Sequence, residues 1–172
     1  MKQCTLLLLL AGMLFAGNAQ TQKKQDMTTQ NDEAAIRALM DRFTAAFNTG
    51  NVDAIMNNYV PDKSFILFDV VPRKEYRGAD TYRAAWEEMF THFTGKPKIE
   101  ITDLGIVVDG NTAFGYSFQH VTGTDTQGKP VDRWVRVTDG YRKIGGNWLI
   151  ALEHISVPVD FRTGKLVPIS KP

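Results

Sequence analysis

The chain has one cysteine, Cys4, in 172 residues, so no intramolecular disulfide can hold it and its core must do that work. It has three histidines, His92, His120 and His154, with no closely spaced ligand pair. A metal site would need two of them to meet a carboxylate in a facial triad, and no metal or other cofactor is expected. Excess charge of either sign is also missing, with 20 Lys and Arg against 19 Asp and Glu. That balance leaves no basic field to hold nucleic acid or an anionic membrane. No glycine-rich phosphate loop follows a strand, since the glycines of "DGYRKIGGN" belong to a hairpin turn. No nucleophile elbow is present.

Long apolar runs are scarce too. The longest lies at the N-terminus, where Lys2 precedes Leu6 to Leu10 and Ala11 to Ala16, followed by the small residues Gly17 and Ala19. A basic start, a short apolar run and small residues form the pattern of a secretory signal peptide over residues 1–19, with cleavage after Ala19. The run falls short of the roughly 20 apolar residues that a spanning helix needs. Cleavage would remove Cys4 and Lys2, leaving 19 basic and 19 acidic residues. The expected product is exported, periplasmic or secreted, and free of the membrane. Residues 20–30 (QTQKKQDMTTQ) are polar and aperiodic and read as a disordered leader. One domain is expected over 31–158, with a C-terminal extension over 159–172.

Within that domain, Asn31-Asp32-Glu33 supplies a helix cap and an acidic first turn. Ile36, Leu39, Met40, Phe43 and Phe47 then share one helical stripe, and Gly50 stops the helix. A short second helix carries Val52, Ile55, Met56 and Tyr59 on one face. "KSFILFDVV" (63–71) is short, aromatic and branched, and predicts a strand; "PRKEYRG" turns the chain. A third helix over 79–93 buries Tyr82, Ala85, Trp86, Met89 and Phe93. After Pro97 four long strands follow, joined by short glycine-containing turns such as Asp109-Gly110, which predicts an antiparallel meander. Helices first and a sheet after make an α+β layer architecture.

Alternation along each strand separates two faces. Over 113–124 the apolar set is Phe114, Tyr116, Phe118 and His120, and it is expected to face inward. Over 148–157 the expected inner set is Trp148, Ile150, Leu152, His154 and Ser156, with Glu153 marking the outer set. Over 131–143 the expected inner set is Val135, Val137, Asp139 and Tyr141. Over 63–71, Phe65, Leu67 and Asp69 share a face opposite Ser64, Ile66 and Phe68, and the pattern does not choose between them. Each apolar set ends in a polar or ionisable residue. Buried ionisable groups are costly unless paired, so their clustering marks a candidate pocket.

The order of elements resembles the nuclear transport factor 2-like superfamily, and within it the SnoaL-like and ketosteroid-isomerase-like proteins. The resemblance rests on "ALMDRFTAAFNTGNVDAIMNNYVPDKSFILFD", "YRGADTYRAAWEEM" and "RVTDGYRKIGGNWLIALEHISVP", and covers roughly Asn31 to Pro158. It implies a cone-shaped fold, three N-terminal helices packed on a strongly curved, mainly antiparallel sheet with a pocket at the open end. It also implies a homodimer paired through the outer sheet face, for which Trp134 and the outer set of the last strand are available. In ketosteroid isomerases an aspartate after the second helix is the general base, and Asp69 matches it. A second, protonated acid matches Asp139. The oxyanion-donating tyrosine of the first helix is replaced here by Phe43, with Tyr59 or Tyr116 as candidate substitutes.

Two readings stay open at this level. One is an enzyme that moves a proton on a small, largely apolar carbonyl compound. Asp69 or His154 would be the base and Asp139 the neutral donor, with Tyr59, Trp86, Tyr116, Phe118, His120 and Ser156 around the substrate. The other is a module of the same fold that binds a ligand, or a second subunit, without chemistry.

Overall fold

The computed structural model describes residues 5–71 and 73–169, with side chains described from residue 23 onward. Cys4 lies outside the described residues, and of the signal-peptide segment only backbone from Thr5 is described. The architecture is α+β, with helices packed on the concave side of a curved six-stranded sheet.

Helix α1 runs over Thr5–Thr49 and therefore includes residues 23–30, which the sequence pattern leaves irregular. Its buried stripe is Ile36, Leu39, Met40, Phe43 and Phe47, none more than 3% exposed. Asp32 does not cap a helix start. It sits in mid-helix, where its Oδ1 accepts from Lys143 Nζ at 2.6 Å and Trp148 Nε1 at 3.0 Å, tying α1 to the sheet. Gly50 ends the helix in the left-handed region at φ 65°, which glycine adopts without strain. Asn51 then caps α2 (Val52–Met56) by accepting from the Ala54 amide at 3.0 Å. Helix α3 spans Ala79–Thr91.

The strands are β1 (Ile66–Phe68), β2 (Glu75–Arg77), β3 (Lys98–Asp109), β4 (Thr112–Thr124), β5 (Pro130–Ile144) and β6 (Asn147–Ser156). Their order is β2-β1-β6-β5-β4-β3, with β1 parallel to β6 and the other pairs antiparallel. The meander β3 to β6 follows the expectation. Strand β1 is shorter than expected, and the turn read after it contains β2. Two further short strands, β7 (Val159–Asp160) and β8 (Lys165–Leu166), make a hairpin in the C-terminal extension.

Two irregularities shape the sheet. In β3 one extra residue lies between the pairs Thr102↔Phe118 and Gly105↔Tyr116, and Asp103 takes a positive φ of 53°. In β6 the pairs Gly140↔Leu152 and Tyr141↔Ile150 leave Ala151 unmatched, which makes it a β-bulge. A bulge inserts one residue and so reverses the alternation beyond it. Trp148 and Ile150 point into the core at 4% and 1% exposure, and after Ala151 the inward residue is Glu153, also at 4%. The expected phase of β6 therefore holds before the bulge and is inverted after it. Leu152, His154 and Ser156 face outward with Phe68 of β1.

Strand β4 corrects a second expectation. Its inner set is Ala113, Gly115, Ser117, Gln119 and Val121, and its outer set is Phe114, Tyr116, Phe118 and His120. Phe114 and Tyr116 are each 52% exposed. The small inner residues leave room for what lies on them. A Cβ on Gly115 would meet the Tyr141 ring at 3.1 Å. In β5 the inner set Val135, Val137, Asp139 and Tyr141 faces the core side, and Phe65, just before β1, and Leu67 within it are fully buried, which puts Asp69 on the inner side.

Candidate functional site

Helices α1 and α3 and the inner faces of β4, β5 and β6 enclose a cavity of about 360 Å³. That volume lies in the range of small-molecule sites. Its wall is mostly apolar, with Phe43, Phe47, Trp86, Met89, Val135 and Ile155 among the lining residues. Phe43 and Phe47 each meet Trp86 edge to face, with ring centroids 6.0 and 5.7 Å apart, and lie tilted to one another at 6.4 Å. The polar side chains on this wall are few: Asp69, Tyr76, Tyr82, Glu153, Gln119, Arg133 and His92.

Glu153 is the centre of the deepest polar group. Its Oε2 accepts from Tyr59 Oη at 2.7 Å and its Oε1 from Tyr82 Oη at 3.4 Å. Across the strand pair it faces Asp139, whose Oδ2 accepts from Tyr141 Oη at 3.1 Å. Two fully buried carboxyls side by side cannot both ionise cheaply. Burial pushes Asp139 up to about 7, with the Tyr141 hydrogen bond opposing. Burial, then the neighbouring Asp139 charge, pushes Glu153 up to about 8. The same burial and the acids beside them push the phenols of Tyr59, Tyr82 and Tyr141 far above their ordinary range. At neutral pH the group therefore retains protons where surface acids have lost theirs, and the tyrosines remain donors.

Asp69 stands at the end of β1 and is half-buried. Its Oδ1 accepts from the amides of Val70 at 2.6 Å and Val71 at 3.3 Å. It is thus both a turn cap and a cavity residue. Burial raises its carboxyl, and the two amide hydrogen bonds hold it back. Its negative charge also raises Glu153, so the two acids share one electrostatic environment.

The structure sorts the sequence-derived candidates cleanly. Asp69 and Trp86 are on the cavity wall. Tyr59 and Asp139 are buried just behind it and reach it through Glu153. Tyr116, Phe118, His120, His154 and Ser156 are on the opposite side of the sheet. His154 is exposed and edge-on to Phe68 at 5.8 Å. His120 stacks on Trp134 at 4.3 Å, and its Nε2 lies 2.8 Å from Asp132. Ser156 Oγ donates to the Arg136 carbonyl at 3.5 Å. These five cannot reach the cavity, because the β6 bulge and the phase of β4 turn them outward. Glu153, read as outward from the sequence, is the residue that takes the inward place. Among the described residues, no three His, Cys, Asp or Glu side chains gather to hold a metal ion.

The family model for the SnoaL-like domain matches residues 36–160, the span that carries both the cone and its cavity. The chain belongs to the SnoaL-like domain family. Solved structures agree. An NTF2-like protein of unknown function from Pseudomonas putida KT2440 is 28% identical, with a TM-score of 0.73 over 84% of this chain and 99% of that one. An NTF2-like superfamily protein from Salmonella enterica serovar Typhimurium is 18% identical, with a TM-score of 0.66 over 73% of this chain and 90% of that one, and shows the shared fold. A search of curated proteins returned no match. In this SnoaL-like chain, then, the cone is a family property, while the pairing of Glu153 with Asp139 is read from its own side chains. No helix among the described residues is long and apolar enough to cross a membrane.

Proposed function

We propose that this SnoaL-like protein binds a small, largely apolar carbonyl compound in the cone cavity and moves a proton on it. The observation that carries this reading is Glu153. A carboxyl held at about 8 lines an apolar cavity that also contains the less buried carboxyl of Asp69. Two acids whose surroundings differ in this way divide into a base and a donor. The Asp69 carboxylate takes a proton from the carbon next to the carbonyl, and the electron pair of that C–H bond moves onto the carbonyl oxygen. The protonated Glu153 donates a hydrogen bond to the enolate oxygen so formed. Tyr59 and Tyr82 hold Glu153 in place, and the longer Tyr82 contact leaves Oε1 the freer oxygen. Return of the proton to a different carbon gives an isomerase; loss of a leaving group from the neighbouring carbon gives a lyase. His154, on the outer face, has no part in this scheme.

The test is deuterium uptake at the α-carbon of a simple cyclic ketone, 2-tetralone, in D2O followed by NMR. The wild-type chain is expected to exceed the buffer rate. Asp69→Asn is expected to lower that excess on the order of 100-fold or more, and Glu153→Gln about 10-fold or more. Exchange at the buffer rate, or full activity in Asp69→Asn, would overturn the catalytic reading. Saturable binding of the ketone without exchange would favour the binding-only alternative.

Two finer readings accompany it. The outer face, with Phe114, Tyr116 and Val107 each half exposed, supports a homodimer paired through β3 to β6. The N-terminal pattern supports export with cleavage after Ala19, which N-terminal sequencing of the mature chain would test.

A further inference from the structure

The cavity has a second polar group that the proton-transfer scheme does not use. Gln119 of β4 lines the wall and is only 6% exposed, yet among the described residues its side-chain amide makes no hydrogen bond. The amide opens onto the cavity rather than being sealed in protein, so its donor and acceptor face whatever occupies that space. Arg133 of β5 lines the same part of the cavity. It is opposite Val121 in register, as Gln119 is opposite Val135, which makes the two diagonal neighbours on the inner face. Arg133 pairs with no carboxylate among the described residues. Its one hydrogen bond runs from Nη1 to the adjacent Asp132 carbonyl at 3.2 Å. The Trp86 indole N–H, on the facing helix, is buried and also lacks an acceptor. Three donors with unused capacity therefore line one apolar cavity, and one of them is a permanent cation.

Their distance from the acids sets the shape of what they hold. Val135, opposite Gln119, is four residues along β5 from Asp139, which faces Glu153, and β5 lies between the two strands that carry Gln119 and Glu153. At strand rise and spacing this is ~13 Å along and ~10 Å across, and roughly 16 Å in all before the sheet curves. The span between is lined by Val135 and Ile155 on the sheet side and by Phe43, Phe47 and Met89 on the helix side.

We propose that the ligand is an elongated monoanion, an apolar body whose carboxylate sits against Arg133 and Gln119 while its opposite end lies at Glu153 and Asp69. The carboxylate accepts from the guanidinium and from the Gln119 amide N–H, a charge-assisted arrangement that a neutral oxygen cannot match. The Asp69 carboxylate is spared a second negative charge beside it because the anion is kept at the far end. Arg133 is exposed at the rim, so the attraction also draws anions toward the opening and weakens as salt is added. This rests on the cavity being a ligand site, as proposed above, but not on any reaction there.

Calorimetric titration of the full chain with biphenyl-4-carboxylate and with its neutral isostere, biphenyl-4-carboxamide, separates the two claims. The carboxylate is expected to bind about 10-fold or more tightly than the amide at low salt. Arg133→Gln should bring the two affinities within about threefold, by weakening the carboxylate far more than the amide, and Gln119→Leu should cut the preference in part. Equal affinities in the wild type, or an undiminished preference in Arg133→Gln, would overturn the anionic end and leave the cavity reading standing. Binding of neither probe would overturn both. The melting temperature of each variant, expected within about 2 °C of wild type for Arg133→Gln because that side chain is exposed, keeps loss of fold from passing as loss of recognition.

Discussion

The two faces of the sheet differ in the opposite sense from what their chemistry suggests. The inner face of β4 carries Ala113, Gly115, Ser117 and Gln119; its outer face carries Phe114, Tyr116, Phe118 and His120. The aromatic face is the open one. The small, polar face is buried because Tyr141 lies on it and needs the space. Side-chain hydrophobicity reports how much a face gains from being covered. It does not report what covers it, and in this chain the helices cover one face while the other remains available to a second subunit. The same comparison holds for the acids. Glu153 and Asp139 are buried among apolar residues and keep their protons, while Asp132, on the outer face, meets His120 in the open.

The strongest way to break this comparison is to insert an alanine between Leu152 and Glu153. With the count shifted by one beyond the bulge, Glu153 would turn outward and His154 inward, and the hydrogen bonds from Tyr59 and Tyr82 would be lost. A histidine cannot take the place of the carboxylate between two phenols, and a slipped register exposes a whole inner set. Destabilisation of about 4 kcal/mol or more is expected, read as loss of a cooperative transition in thermal unfolding. A variant as stable as wild type would show that the residue count along β6 does not decide the facing of Glu153.

A smaller effect comes from the acids themselves. Both have folded-state values raised above the ordinary carboxyl range, to about 7 and about 8, so between roughly pH 4 and 8 the folded chain binds more protons than the unfolded one. Their contribution is complete below about pH 4 and falls away as pH rises to about 8. The wild-type melting temperature should therefore decline between pH 5 and 8. Glu153→Gln should flatten that decline and be the more stable protein at pH 8.5, by on the order of 2 kcal/mol or roughly 5 °C. A pH dependence identical to wild type would show that Glu153 is ionised in the fold.

The smallest effect on the monomer is expected on the outer face. Phe114→Ser with Tyr116→Ser should change monomer stability by no more than about 1 kcal/mol, because both rings are half exposed. It should nevertheless shift sedimentation from dimer toward monomer. An unchanged sedimentation coefficient would remove this face from any dimer.

How far the sequence could be read follows from these cases. The stripe of α1, the turn at Asp109-Gly110, the meander and the inner set of β5 were all legible, because helical period, turn residues and unbroken alternation are local patterns. The inward place of Asp139 came from that unbroken alternation. His154 and Glu153 were exchanged because one extra residue, Ala151, reverses the count, and nothing in "WLIALEHIS" marks it without knowledge of the opposing Gly140 and Tyr141. Tyr116, Phe118 and His120 were placed inside because they are the larger and more apolar set. Gln119 and Arg133 drew no notice, since a glutamine and an arginine on strands look solvated until a wall of helices stands over them.

By itself the sequence determined the elements, their order and the family cone, through forces that act between residues close in the chain. It also determined that several ionisable groups would end in apolar surroundings. Only the tertiary structure decided which of them share the cavity. That depends on a strand register broken by one residue and on which sheet face the helices cover, and both are set by contacts between residues about 100 positions apart, such as Tyr59 with Glu153 and Asp32 with Lys143 and Trp148.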